Sequence, residues 1–125
     1  LFAGGCGRVF EGTPPMMHQS LQSLAALPAA TRIYCAHEYT LANLAFACAV
    51  EPDNQALSHR LTEAEAARAR TEPTVPSSIE LEMATNPFLR CAEPALLDSL
   101  RNQGRLAGSS GPEVFATVRG WKDNF

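Results

Sequence analysis

The chain has 125 residues, 46% of them hydrophobic, and a formal net charge of −3. That length suits one compact domain with a modest core, and that apolar content argues against disorder. The slight acidity excludes a general nucleic-acid binder, and no apolar run approaches the ~20 residues that span a bilayer.

Leu1-Phe2-Ala3 has no initiator methionine and reads as the tail of a strand already under way, so a piece of a longer chain is expected. No basic segment leading into an apolar stretch marks a secretory leader. Gly4-Gly5-Cys6-Gly7 permits a tight turn, and with Arg8 it offers either an anion-holding loop or a plain turn. The P-loop pattern is absent. Thr13 and Pro14 open a helix as N-cap and first residue. Its buried stripe is Met17, Leu21, Leu24 and Ala25, with His18 at the surface and Pro28 as the stop. Thr31 to Cys35 reads as a strand.

That strand stops at His37-Glu38-Tyr39, a place where a fixed backbone meets a free loop. His37 there is either a metal ligand or acid–base group, or an imidazole satisfied by nearby backbone. From Thr40 the period is helical and apolar nearly all round, which predicts a central helix. Its face is Leu41, Leu44, Ala45 and Cys48, extended by Phe46 and Val50. Glu51-Pro52 ends it. Asp53 caps the next helix, whose stripe is Leu57, Leu61 and Ala64. Arg60, Glu63, Glu65, Arg68 and Arg70 form its solvated face, and His59 has no evident partner.

Residues 72–78 read as extended linker. Ser78 caps a short helix with Ile79 and Met83, and Asn86 to Arg90 is a turn anchored by apolar side chains. A helix over Glu93–Gln103 turns Leu96, Leu97 and Leu100 inward and stops at Gly104. Gly108 to Gly111 is a flexible link. Pro112 opens a last helix that packs Val114, Val118, Trp121 and Phe125. Arg119 and Lys122 share an adjoining face with Phe115; they are either a clamp for a carboxylate or phosphate, or surface charge near a helix C-terminus. Cys6, Cys35, Cys48 and Cys91 form no C-x-x-C pair. Reduced, mostly buried thiols in a cytoplasmic protein are expected, with Cys6 exposed among its glycines.

Three segments taken together, Gly5-Cys6-Gly7-Arg8-Val9-Phe10-Glu11-Gly12, Cys35-Ala36-His37-Glu38-Tyr39-Thr40 and Thr85-Asn86-Pro87-Phe88-Leu89-Arg90, resemble the C-terminal half of glyoxalase II, of the metallo-β-lactamase superfamily. Pro73 to Ser77 and the ending Trp121-Lys122-Asp123-Asn124-Phe125 fit as well. The resemblance implies an α+β piece that is mostly α. Residues 1–39 would be the C-terminal remnant of the αββα metallo-β-lactamase-like domain, and residues 40–125 a helical glutathione-binding domain. It implies a parent enzyme that hydrolyses S-D-lactoylglutathione to glutathione and D-lactate in methylglyoxal detoxification. Two divalent metal ions, zinc or else iron or manganese, would supply the nucleophilic hydroxide.

Position by position, the resemblance makes His37 a metal ligand. Arg8 and Tyr39 would contact the glutathione moiety, and Arg119 with Lys122 would hold its glycine carboxylate. Phe10 stands where many members carry a tyrosine. The T-H-x-H-x-D-H motif, a further histidine and the bridging aspartate are not in this chain. A catalytic zinc takes about three protein ligands, so the piece alone is expected to be inactive and to retain no metal. Exposed strand edges would call for an upstream half or a second copy. The rival readings are another metallo-β-lactamase-type hydrolase, a persulfide dioxygenase, or a helical interaction module without catalysis.

Overall fold

Side-chain caps set most of the helix starts. The computed structural model describes residues 1–125. Thr13 accepts a hydrogen bond from the Met16 N–H at 3.4 Å and opens α1 (Pro14–Ala25) with prolines in the first turn. Asn54 accepts from the Leu57 N–H at 3.1 Å and opens α3 (Gln55–Ala69). The cap is therefore Asn54 and not Asp53, since the chain is still turning after Pro52 when Asp53 passes. Ser78 opens α4 (Ile79–Thr85), and Ser110 opens α6 (Gly111–Asp123). Between them lie α2 (Thr40–Val50), a 3₁₀ turn (Pro87–Leu89) and α5 (Pro94–Asn102). Gly104, at φ +69°, follows α5 in the left-handed region where a glycine is unstrained.

The strand expected over Thr31–Cys35 shrinks to β1 (Arg32–Ile33), paired antiparallel with β2 (Ser77–Ser78) inside the supposed linker. Strand propensity is satisfied only where a partner backbone lies alongside. Just beyond, the first N–H groups of α4 are taken up by the same segment: Ile79 donates to the Thr31 carbonyl and Glu80 to that of Ala29, both at 3.0 Å. The edge of β1 thus finds its partner within the chain. Leu1-Phe2 makes no strand, only a single bridge between Phe2 and Gly5.

α2 is central, as its composition predicted, but its buried face is Asn43, Leu44, Phe46, Ala47 and Val50, with Leu41 and Ala45 outside. Phe46 and Val50 join the main core beneath Phe88, Leu96, Leu100 and Phe115. Leu44 and Ala47 meet Leu57 and Ala64 of α3 in a smaller core. Leu24 and Phe125 were expected inside but lie exposed, because α1 and α6 end at the molecular surface.

One polar cluster interrupts this apolar interior. Glu82 of α4 is fully buried. Its Oε2 meets Arg60 Nη2 at 2.6 Å and accepts the Ser77 hydroxyl. Its Oε1 accepts from the Gly4 N–H at 2.8 Å and from Asn86 Nδ2 at 3.0 Å. Arg60 also donates to Thr85 Oγ1 at 2.7 Å. Arg60 is thus part of the interior and not of the solvated face of α3. His59, on that face, sits 3.2 Å from Glu63 one turn on.

His18 is also less exposed than expected. Its ring lies 5.8 Å from that of Phe115, its Nδ1 is buried without a hydrogen-bond partner, and a Cβ on Gly111 would come within 2.6 Å of its Nε2. Burial pulls its pKa below the ordinary 6.5.

Two outcomes follow. Glu82→Gln leaves the Arg60 charge buried beside a neutral amide and lowers the unfolding free energy in urea by about 3–5 kcal/mol. Because His18 holds its proton less tightly when folded, the unfolded chain binds more protons as pH falls through about 6.5. The wild type therefore loses stability across that window, and His18→Leu, compared by urea titration at each pH, loses less.

Candidate functional site

The N-terminal turn is folded inward and held from three sides. Phe2 and Gly5 exchange main-chain hydrogen bonds at 2.9 and 3.2 Å, with Gly4 at φ +76°. Asn43 Nδ2 donates to the Ala3 carbonyl at 3.1 Å, and Asn86 Nδ2 to that of Gly5 at 3.0 Å. A Cβ on Gly5 would stand 2.7 Å from Asn43 Cγ, so close approach requires a glycine there. The Gly4 N–H donates to Glu82 and the Gly5 N–H to the Phe2 carbonyl, so these two donors serve the turn itself.

Arg119 of α6 closes over the turn from the third side. Its Nη1 donates to the Cys6 and Gly7 carbonyls at 2.8 and 3.1 Å, and its Nε and Nη2 to Asp123 Oδ1 at 3.1 and 2.9 Å. The guanidinium lies 5.1 Å from the Phe88 ring centre and is almost wholly buried. One Nη2 N–H is left without a protein acceptor. Cys6 is buried beneath this contact, contrary to the exposure expected from its glycine neighbours. Burial pushes its thiol up, outweighing the Arg119 charge and hydrogen bond. Burial, with Cys6 nearby, takes the Cys91 thiol to about 12.

On the other wall, the rings of His37 and Tyr39 stack at 4.9 Å and 16°, and Phe2 packs at 5.3 Å from Tyr39. His37 is exposed and Tyr39 half-exposed. Glu38, between them, accepts hydrogen bonds from the Thr74 N–H and hydroxyl and from the Thr40 hydroxyl. Burial alone would raise its carboxyl; these donors, with the Arg68 charge, outweigh that and hold it below the usual range.

Between these walls lies a cavity of about 390 Å³, within the size range of small-molecule sites. Its lining includes all of the residues singled out from sequence: Arg8, His37, Tyr39, Arg119 and Lys122. Phe10, at the position where a tyrosine is common in the family it resembles, also lines it, and Phe2, Cys6 and Asn43 complete the walls without having been anticipated there. Asn43 carried a readable signal, as a polar residue on an otherwise apolar helix. Arg8 is largely exposed and 3.9 Å from Asp123 Oδ1. Lys122 is half-buried; burial, then the Arg119 charge, lowers its pKa from the ordinary 10.5. Three cations thus face one carboxylate, Asp123, leaving the mouth positive and suited to an anionic ligand. A second cavity, of about 470 Å³ beside α5, is lined by Arg90, whose charge is already paired with Glu51 at 2.6 and 3.0 Å and which also donates to the Met83 carbonyl.

No three His, Cys, Asp or Glu side chains converge on one point. His37 is stacked on Tyr39 and offers one donor, so the residues present do not make a metal centre by themselves.

The family model described as hydroxyacylglutathione hydrolase C-terminus matches residues 38–125. The hydroxyacylglutathione hydrolase of Ectopseudomonas mendocina is 58% identical over 125 residues, covering 100% of this chain and 49% of the relative. That of Alkalilimnicola ehrlichii is 59% identical over 123 residues, 98% of this chain and 48% of the relative. That of Pseudomonas fluorescens is 54% identical over 125 residues, 100% and 49%. The chain spans about half the length of the curated relatives it matches. With its mostly helical fold, the chain belongs to the hydroxyacylglutathione hydrolase family.

Proposed function

We propose that this chain is the glutathione-gripping half of a thioester hydrolase acting on S-D-lactoylglutathione. Residues 1–39 are then the end of a metallo-β-lactamase-like domain and residues 40–125 the helical substrate-binding domain. The observation that carries the reading is the gathering of Arg8, His37, Tyr39, Arg119 and Lys122 on one cavity of suitable size.

Each side chain has a distinct task. Lys122 supplies the charge that meets the glycine carboxylate, and Arg119 adds its remaining N–H from a fixed position. Arg8, on a more exposed stem, adapts to the rest of the anionic tripeptide. Tyr39 offers a phenol to its amide groups, with the ring held by His37 and Phe2. Phe10 presents an apolar face without a hydroxyl. His37 gives one ligand to a centre of two divalent ions, zinc first and iron or manganese as alternatives, whose other donors come from the upstream half. Such ions lower the pKa of bound water and polarise a carbonyl. Four free thiols support a reducing, cytoplasmic setting, and no helix is long and apolar enough to cross a membrane.

The test is a thermal melt of the chain titrated with glutathione. Ligand at ~100 times its Kd adds about 2.7 kcal/mol to the folded state, a rise of several degrees. Lys122→Ala abolishes most of that rise while leaving the unliganded melt near wild type. Arg119→Ala also lowers the unliganded melt, because its guanidinium holds the turn. With zinc, the chain alone leaves S-lactoylglutathione intact, and hydrolysis returns when the upstream half is added. A wild-type melt that glutathione does not move would overturn the reading.

A further inference from the structure

The segment from Tyr34 to Glu38 runs between β1 and α2 without main-chain support. No main-chain N–H or carbonyl of these residues bonds to another main-chain group, and within the segment only the Cys35 thiol, 3.8 Å from the His37 carbonyl, makes a weak bond. Tyr39, in the N-cap position of α2, makes no capping bond through its side chain. Yet His37 and Tyr39 are held in a stacked pair facing the cavity. The main polar restraint on the segment comes from 36 residues away. Glu38 accepts the Thr74 N–H at 2.5 Å on Oε1 and the Thr74 hydroxyl at 2.6 Å on Oε2. The Thr40 hydroxyl lies 3.1 Å from that second oxygen and 2.6 Å from Thr74 Oγ1. Thr40, the first residue of α2, is buried, which anchors the cluster on the helix.

We propose that Glu38 and Thr74 are positioning residues for the cavity: their two-point tether, set by the connection between α3 and α4, fixes the His37–Tyr39 pair toward the ligand. Neither residue lines the cavity. A carboxylate held at both oxygens cannot swivel, and its neighbours in sequence on either side inherit that restraint. Side chains that meet a ligand need such support to hold position. The charged acceptor makes these bonds stronger than neutral ones, so a distant loop controls the stack at little cost in buried surface. This inference rests on the reading that Tyr39 and His37 face a glutathione thioester.

The test uses two independent readouts on this chain. The first is the nuclear Overhauser contact between the His37 and Tyr39 rings in the ligand-free protein; the second is glutathione affinity by calorimetry. Thr74→Val removes the hydroxyl with little change of shape, Glu38→Gln removes the charge, and Thr74→Ser preserves both donors. The expected result is a weakened ring contact and roughly tenfold weaker glutathione binding in the first two. Thr74→Ser stays near wild type in both readouts, and the thermal melts of all the variants stay close together. Ring contacts unchanged in both Thr74→Val and Glu38→Gln would refute the tether. A lost contact with unchanged affinity would refute its role at the cavity. If the wild type itself binds no glutathione, the functional reading fails, while the ring contact still decides whether the tether exists.

Discussion

A single buried carboxylate, Glu82, ties together parts of the chain that have no apolar reason to meet. It draws on α3 through Arg60, on β2 through Ser77, on the end of α4 through Asn86 and on the N-terminal turn through Gly4. Burying such a charge is costly unless it is paired and its oxygens are fully hydrogen-bonded. Here both oxygens are occupied, so the cluster gives register where packing alone would tolerate slippage. The two apolar cores share α2, and this polar cluster fixes how the outer segments sit against them.

The cavity inherits its shape from that arrangement. The turn at residues 1–7 has a two-residue bridge and little else of its own. It keeps its place because Glu82 and Asn43 each hold one of its main-chain groups, and Asn86 and Arg119 two each. Arg8 follows directly on that turn. Lys122 lies one helical turn from Arg119, so the grip on the loop and the charge at the mouth come from one face of α6.

Local signals were readable wherever the physics is local. Thr13, Ser78 and Gly104 mark helix boundaries because caps and left-handed stops act within three or four residues. The reading failed where a partner far along the chain decided the outcome. Arg60 looks solvated on a helical wheel, and only the arrival of Glu82, 22 positions later, takes it inside. The strand after Pro28 looks longer than it is, because Ser77–Ser78 offers pairing for only two residues. At the site, spacing alone left His37, Arg119 and Lys122 undecided between ligand contact and ordinary roles. Their identity as a group came from resemblance to a family, and their convergence belongs to the tertiary fold. Glu38 and Thr74 carry no sequence pattern that links them.

Asp123 gives the mouth a further property. It stands 2.9 Å from Arg119 and 3.9 Å from Arg8, so the cations there already have a resident counter-ion. An incoming carboxylate is exchanged for that neighbour's attraction more than added to it. Part of the Coulomb gain of any anion there is cancelled in advance, which favours quick release over tight retention.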